Sequence, residues 1–141
     1  TEVFAYTTDP HTLFAVITAL LERIGLNVHD ARIIGTRLGH TLFSFTVLEQ
    51  SGKPIDDDNR VNEIGALVAA ELQQQTGSKR IVPHQKPPLR ARAFNIPTEI
   101  SFDQPHNAPH TQLEIITADR PGLLARISQA LESADFTLCD A

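Results

Sequence analysis

Hydrophobic and polar positions along the chain switch between two periods, and the switches mark the elements. Val3, Phe4, Tyr6 and the adjacent threonines are strand formers, so 2–8 reads as a strand. Leu13, Ile17, Leu20, Leu21 and Ile24 then recur at helical spacing and predict an amphipathic helix over 10–24. Asp9 stands at its N-cap, Pro10 at its first position and Gly25 at its C-terminal cap. Val28, Ile33 and Ile34 mark a strand over 26–37, Leu38-Gly39-His40 a tight turn, and Leu42, Phe43, Phe45 and Val47 a strand over 41–48. A loop at 50–54 leads to a helix over 58–75, marked by Val61, Ile64, Val68 and Leu72 and stopped near Gly77.

Residues 78–95 break the pattern. They hold Pro83, Pro87 and Pro88 with Lys79, Arg80, Lys86, Arg90 and Arg92 and no acid, which reads as an exposed basic linker. Strand character resumes over 96–103, with Ile96, Ile100 and Phe102 on one face. A shorter linker, 104–110, follows. Then come a strand over 112–118, a helix from Arg120 or Pro121 to Ser133, and a strand over 136–141.

The last three elements repeat the first three. Thr7-Thr8-Asp9-Pro10-His11-Thr12-Leu13-Phe14-Ala15 recurs as Thr117-Ala118-Asp119-Arg120-Pro121-Gly122-Leu123-Leu124-Ala125, an offset of 119 − 9 = 110. The match runs on without a gap through Ile17/Ile127, Leu21/Leu131, Glu22/Glu132 and Asp30-Ala31/Asp140-Ala141. The second copy stops where the first reaches Ala31, so 103 − 31 = 72 residues of the first have no counterpart here. The expected fold is therefore α+β: a βαββαβ unit, an antiparallel sheet with both helices on one face, over 1–103; a linker over 104–110; and a truncated βαβ copy over 111–141. One sheet face and the truncated edges are left open, and a unit of this size is marginal alone, so pairing with a sister unit or a second copy is expected.

The sharpest motif is Asp119-Arg120-Pro121-Gly122-Leu123-Leu124, at a strand-to-helix turn. Gly122 has no Cβ, so a ligand or another backbone can approach closely. The helix start offers unpaired N–H groups and the positive dipole end, which suit a carboxylate. Asp119 is placed either to accept from an ammonium group or only to cap the helix, with Pro121 as its starter. The first copy has Thr12 where the second has Gly122, and a side chain there would narrow the approach.

This motif, within repeated βαββαβ units, resembles the ACT domains, which are ferredoxin-like amino-acid-sensing modules. Together with Asp30-Ala31-Arg32-Ile33-Ile34, Thr36-Arg37, Phe45-Thr46-Val47-Leu48, Pro97-Thr98-Glu99-Ile100 and Ala125-Arg126-Ile127, it resembles the C-terminal tandem ACT region of the bacterial bifunctional protein-PII uridylyltransferase/uridylyl-removing enzymes. The resemblance implies a cytoplasmic, regulatory, glutamine-sensing module in nitrogen metabolism. It implies ligand-binding residues Asp119, Arg120, Pro121, Gly122 and Leu123 in the second copy, and Asp9, His11, Thr12, Leu13 and Asn27 in the first. It also implies ACT–ACT pairing, contact with the parent's catalytic domains and, through them, with the PII signal protein. Magnesium or manganese would serve those domains; no cofactor, metal or catalytic residue is expected in this stretch. The alternative is a ligand-free interaction or dimerisation module.

Composition narrows the classes further. The 141 residues are 41% hydrophobic and 21% charged, an ordinary globular balance. A net charge of −5 argues against nucleic acid as the main partner. An RNA-reading use of the same topology would rely on Phe43, Phe45 and Tyr6 on an open sheet face. No apolar run approaches the roughly 20 residues of a membrane helix, and the start does not resemble a signal peptide. The single cysteine, Cys139, excludes an internal disulfide and reads as a small buried strand residue. The six histidines show no zinc-type spacing, and His29-Asp30 has no ligand cluster beside it. Asp56-Asp57-Asp58 reads as acidic residues at a helix N-terminus rather than a magnesium site.

Overall fold

A computed structural model describes residues 1–7, 13–36, 39–73, 97–106, 108–120, 122–136 and 138–139. The elements are β1 (Glu2–Thr7), α1 (Leu13–Arg23), β2 (Leu26–Gly35), β3 (Thr41–Glu49), α2 (Asp58–Gln73), β4 (Glu99–Asp103), β5 (Gln112–Ile116) and α3 (Leu123–Ser133). The fold is α+β with antiparallel sheets, compatible with a ferredoxin-like arrangement.

The strongest strand former becomes the centre of the first sheet, whose order is β1-β3-β2. Phe43, Phe45 and Val47 alternate on β3 and are fully buried. Ala5, Phe43 and Ile33 form one inward row across the three strands, and Val3, Phe45 and Ala31 the next. The β2 register shifts between Val28 and Asp30. That extra residue, His29, reverses the alternation, so Val28 faces the core with Ala31 and Ile33 although the uninterrupted pleat would place them on opposite faces.

Leu13, Phe14, Ile17, Leu20 and Leu21 of α1 and Ile64 and Val68 of α2 cover this face and join one core cluster. Phe14 packs on Phe45 with ring centroids 5.4 Å apart. Val61 and Ile34, both on the hydrophobic pattern, are instead exposed. Gly25 adopts φ 82 and donates its N–H to Glu22 O, closing α1 as the sequence predicts. Asp57 Oδ1 accepts from the Asn59 N–H at 2.9 Å, which makes Asp57 the N-terminal cap of α2, with Asp58 in its first turn.

The fourth strand departs from expectation. β4 was predicted to close the first sheet, but it pairs with β5 in a separate two-stranded sheet. Local connectivity explains this: only a short link joins β4 to β5, so little loop entropy is lost on pairing them. Gln104 braces that link, donating to Ala108 O and His110 O and accepting from Thr111 Oγ1 at 2.7 Å. Ile100 opposes Ile115 and Phe102 opposes Leu113, giving this sheet one apolar face.

The strand predicted over 136–141 is not formed among its described residues, 136, 138 and 139. In the first copy β2 is held by β3, and the second copy has no counterpart of β3 within the 141 residues to supply that ladder. Cys139, expected buried in that strand, is exposed. The basic linker 78–95 and the cap Asp9-Pro10 lie outside the described residues.

Candidate functional site

The sharpest motif of the second copy falls on the turn between β5 and α3. Ala118 is buried there, and Asp119 and Arg120 are exposed. The Leu123 N–H donates to Arg120 O at 3.1 Å, and Gly122 turns the chain with φ 73, ψ 12. α3 therefore starts later than predicted. Its N-cap is Gly122, with no side-chain cap bond, so Asp119 does not cap the helix. The left-handed backbone at Gly122 explains the shift: it interrupts helical geometry that a start at residue 120 or 121 would need. Thr117 Oγ1 and Thr98 Oγ1 lie 2.8 Å apart and tie the start of this turn to β4.

Above the turn lies α1. The two helices pack directly on each other. A Cβ built on Gly122 would stand 2.9 Å from both Cδ and Oε1 of Glu22 and would overlap Oε2. What approaches the glycine in this structure is thus a carboxylate of the first copy. Glu22 Oε1 is sealed from solvent and accepts no hydrogen bond, and this burial raises its pKa above the ordinary carboxylate value. The sequence marked Glu22 only as an identity with Glu132. A charged residue directly after the core pair Leu20-Leu21, repeated at the same place in both copies, was the available signal.

Three of the other candidates lie among the described residues. Leu13 is 3% exposed and belongs to the core of the first sheet. Leu123 is half-buried at the start of α3, and Asn27 is exposed on β2 opposite Leu48. Asp9, His11, Thr12 and Pro121 lie outside the described residues. At the end of β2, a Cβ on Gly35 would lie 3.7 Å from Cys139 O, and Leu138 packs partly against the core, so the tail of the second copy runs beside the first.

Asp30 pairs with Arg32 at 3.1 Å. Phe43 and Phe45 face the helices and cannot form an RNA-stacking surface; the pleat puts Phe4 and Tyr6 outward instead. Among the described residues, no group of three or more His, Cys, Asp or Glu is arranged to hold a metal ion. No described helix is long and apolar enough to cross a membrane.

An α+β protein of antiparallel sheets with a helix-to-helix contact between two sequence repeats is the class these observations define. No family model and no solved structure matches it. Curated relatives do match. The chain is 35% identical over 142 residues to the bifunctional uridylyltransferase/uridylyl-removing enzyme of Stutzerimonas stutzeri (strain A1501), covering 100% of this chain and 16% of that one. It is 33% identical over 138 residues to the enzyme of the same name from Vibrio parahaemolyticus, covering 98% and 15%. It is 37% identical over 138 residues to that of Photobacterium profundum, again covering 98% and 15%. Similarity to these enzymes thus extends along the whole chain, and the chain spans about 16% of the length of such relatives.

Proposed function

We propose that this chain is a regulatory, amino-acid-sensing module of a bifunctional uridylyltransferase/uridylyl-removing enzyme, with glutamine as its ligand. The observation that carries the reading is the Asp119–Leu123 turn. A left-handed glycine opens a helix there, beside an exposed aspartate, at the contact between two repeats. End-to-end similarity to enzymes of that name supplies the parent activity. In this reading Asp119 accepts from the ligand's ammonium group, and the first-turn N–H groups of α3 beyond Leu123, whose own N–H is bonded to Arg120 O, receive its carboxylate. The parent's catalytic domains, with magnesium or manganese, add uridylyl groups to the PII protein in the cytoplasm and remove them. Glutamine tips the balance by binding one state of the repeats more tightly than the other.

The test is calorimetric titration of L-glutamine, with glutamate and asparagine as controls, into this chain and into the parent enzyme. Glutamine-selective binding by the parent supports the reading. Absence of heat with both proteins overturns it.

One observation favours a second reading, a ligand-free pairing module: Glu22 already occupies the side of Gly122 that faces α1. Sedimentation with and without glutamine separates the two. An association state of the parent that glutamine does not alter, together with no binding heat, is the outcome a pure pairing module requires.

A further inference from the structure

The helix contact raises a question that ligand binding does not answer: why residue 122 lacks a side chain. Its left-handed backbone is one reason, but other residues enter that region singly at a modest penalty. The second reason is spatial. Glu22 Cδ and Oε1 lie 2.9 Å from where a Cβ would be, and Oε2 would overlap it. The carboxylate is the flexible end of a half-buried side chain, but one of its oxygens is enclosed. Oε1 has no solvent access and no hydrogen-bond partner, so protein encloses it on that side.

We propose that the glycine at 122 is demanded by the pairing of the two repeats: Glu22 is a positioning residue whose carboxylate seats against the bare backbone of the β5–α3 turn and sets how closely α1 packs on α3. A side chain at 122 pushes Glu22, and with it the end of α1, away from α3. Any event that moves this turn is thereby felt by the first repeat's helix without a direct contact to the first sheet. The inference does not depend on glutamine or on any ligand.

The test is a double-mutant cycle in this chain, read by denaturant unfolding: Glu22→Ala, Gly122→Ala and the pair. The penalty of alanine in the left-handed region is common to both backgrounds and cancels. Gly122→Ala is expected to raise the unfolding constant at least tenfold more with Glu22 present than with alanine at 22. Equal effects in the two backgrounds overturn the proposal, because Glu22 then swings aside freely. If Gly122→Ala does not fold with Glu22 in place, recovery of folded protein on adding Glu22→Ala supports it. Failure to fold in both backgrounds overturns it, since the backbone conformation is then the whole requirement. Amide exchange separates spacing from global stability. In Gly122→Ala the α3 amides should exchange faster relative to those of β3, and Glu22→Ala should restore the ratio; an unchanged ratio counts against the proposal.

Discussion

The Arg60 guanidinium donates to the Ile24 carbonyl at 2.6 Å and so closes the C-terminal end of α1 from a different helix. The same group pairs with Glu63 at 2.8 Å and Glu49 at 3.4 Å. One side chain of α2 thus holds the ends of α1 and β3 together, with a cation where the α1 dipole is negative.

Replacing Arg60 by alanine is therefore expected to destabilise the fold by about 2 kcal/mol, the range of a charge-assisted hydrogen bond to a partly buried carbonyl. Arg60→Lys should recover only part of this, because an ammonium cannot span three acceptors as the planar fork does. Denaturant midpoints of the two variants check both statements.

Phe45 lies at the centre of the first sheet with no exposed surface. Phe45→Ala should cost roughly 3–5 kcal/mol, from lost burial and the cavity left between β3 and Phe14. Phe4→Ala, on the outward face of β1, should cost less than about 1 kcal/mol. Thermal unfolding of the pair tests which β-strand face carries the core.

Glu22 gives a pH signature. Its folded pKa is raised above 4.5 by desolvation, so the folded state favours the protonated acid. The destabilising contribution is absent below 4.5 and grows as pH rises from there through the folded pKa. Glu22→Gln should therefore be more stable than the parent sequence at pH 7, with the difference vanishing toward pH 4. A stability difference independent of pH would contradict this.

Ligand binding at the β5–α3 turn is best probed through Asp119 rather than Gly122. Valine at 122 meets both the left-handed backbone and Glu22, so it is expected to weaken folding along with any binding. Asp119 is exposed, and Asp119→Asn should change stability by less than about 0.5 kcal/mol. If the glutamine reading holds, the same change weakens glutamine binding to the parent enzyme at least tenfold. Unaltered affinity would remove Asp119 from the site.

Much of this was legible in one dimension. Helical spacing located α1 and α2, strand-forming residue types located β1 and β3, one-face alternation located β4, and the repeat carried β5 and α3, because burial and backbone sterics impose these patterns whatever the partner. The repeat of Asp9–Ala15 at Asp119–Ala125 pointed to the turn that the glycine shapes. The start of α3 was misplaced, because Pro121 and Asp119 satisfy the local preferences for a helix start that the left-handed Gly122 overrides. Val28 could be placed on the core face only once the bulge at His29 was seen.

The sequence by itself determined element types, the repeat and the turn, since these follow from local propensity and side-chain periodicity. Beyond the β2–β3 hairpin, which the turn between them already implied, the tertiary structure decided the partners. It paired β4 with β5, where a short link made closure cheaper than a return to β1. It also set Glu22 against Gly122, two residues exactly one hundred apart in number that meet only because α1 packs on α3. Periodicity says which face of an element is buried; only packing in three dimensions says against what.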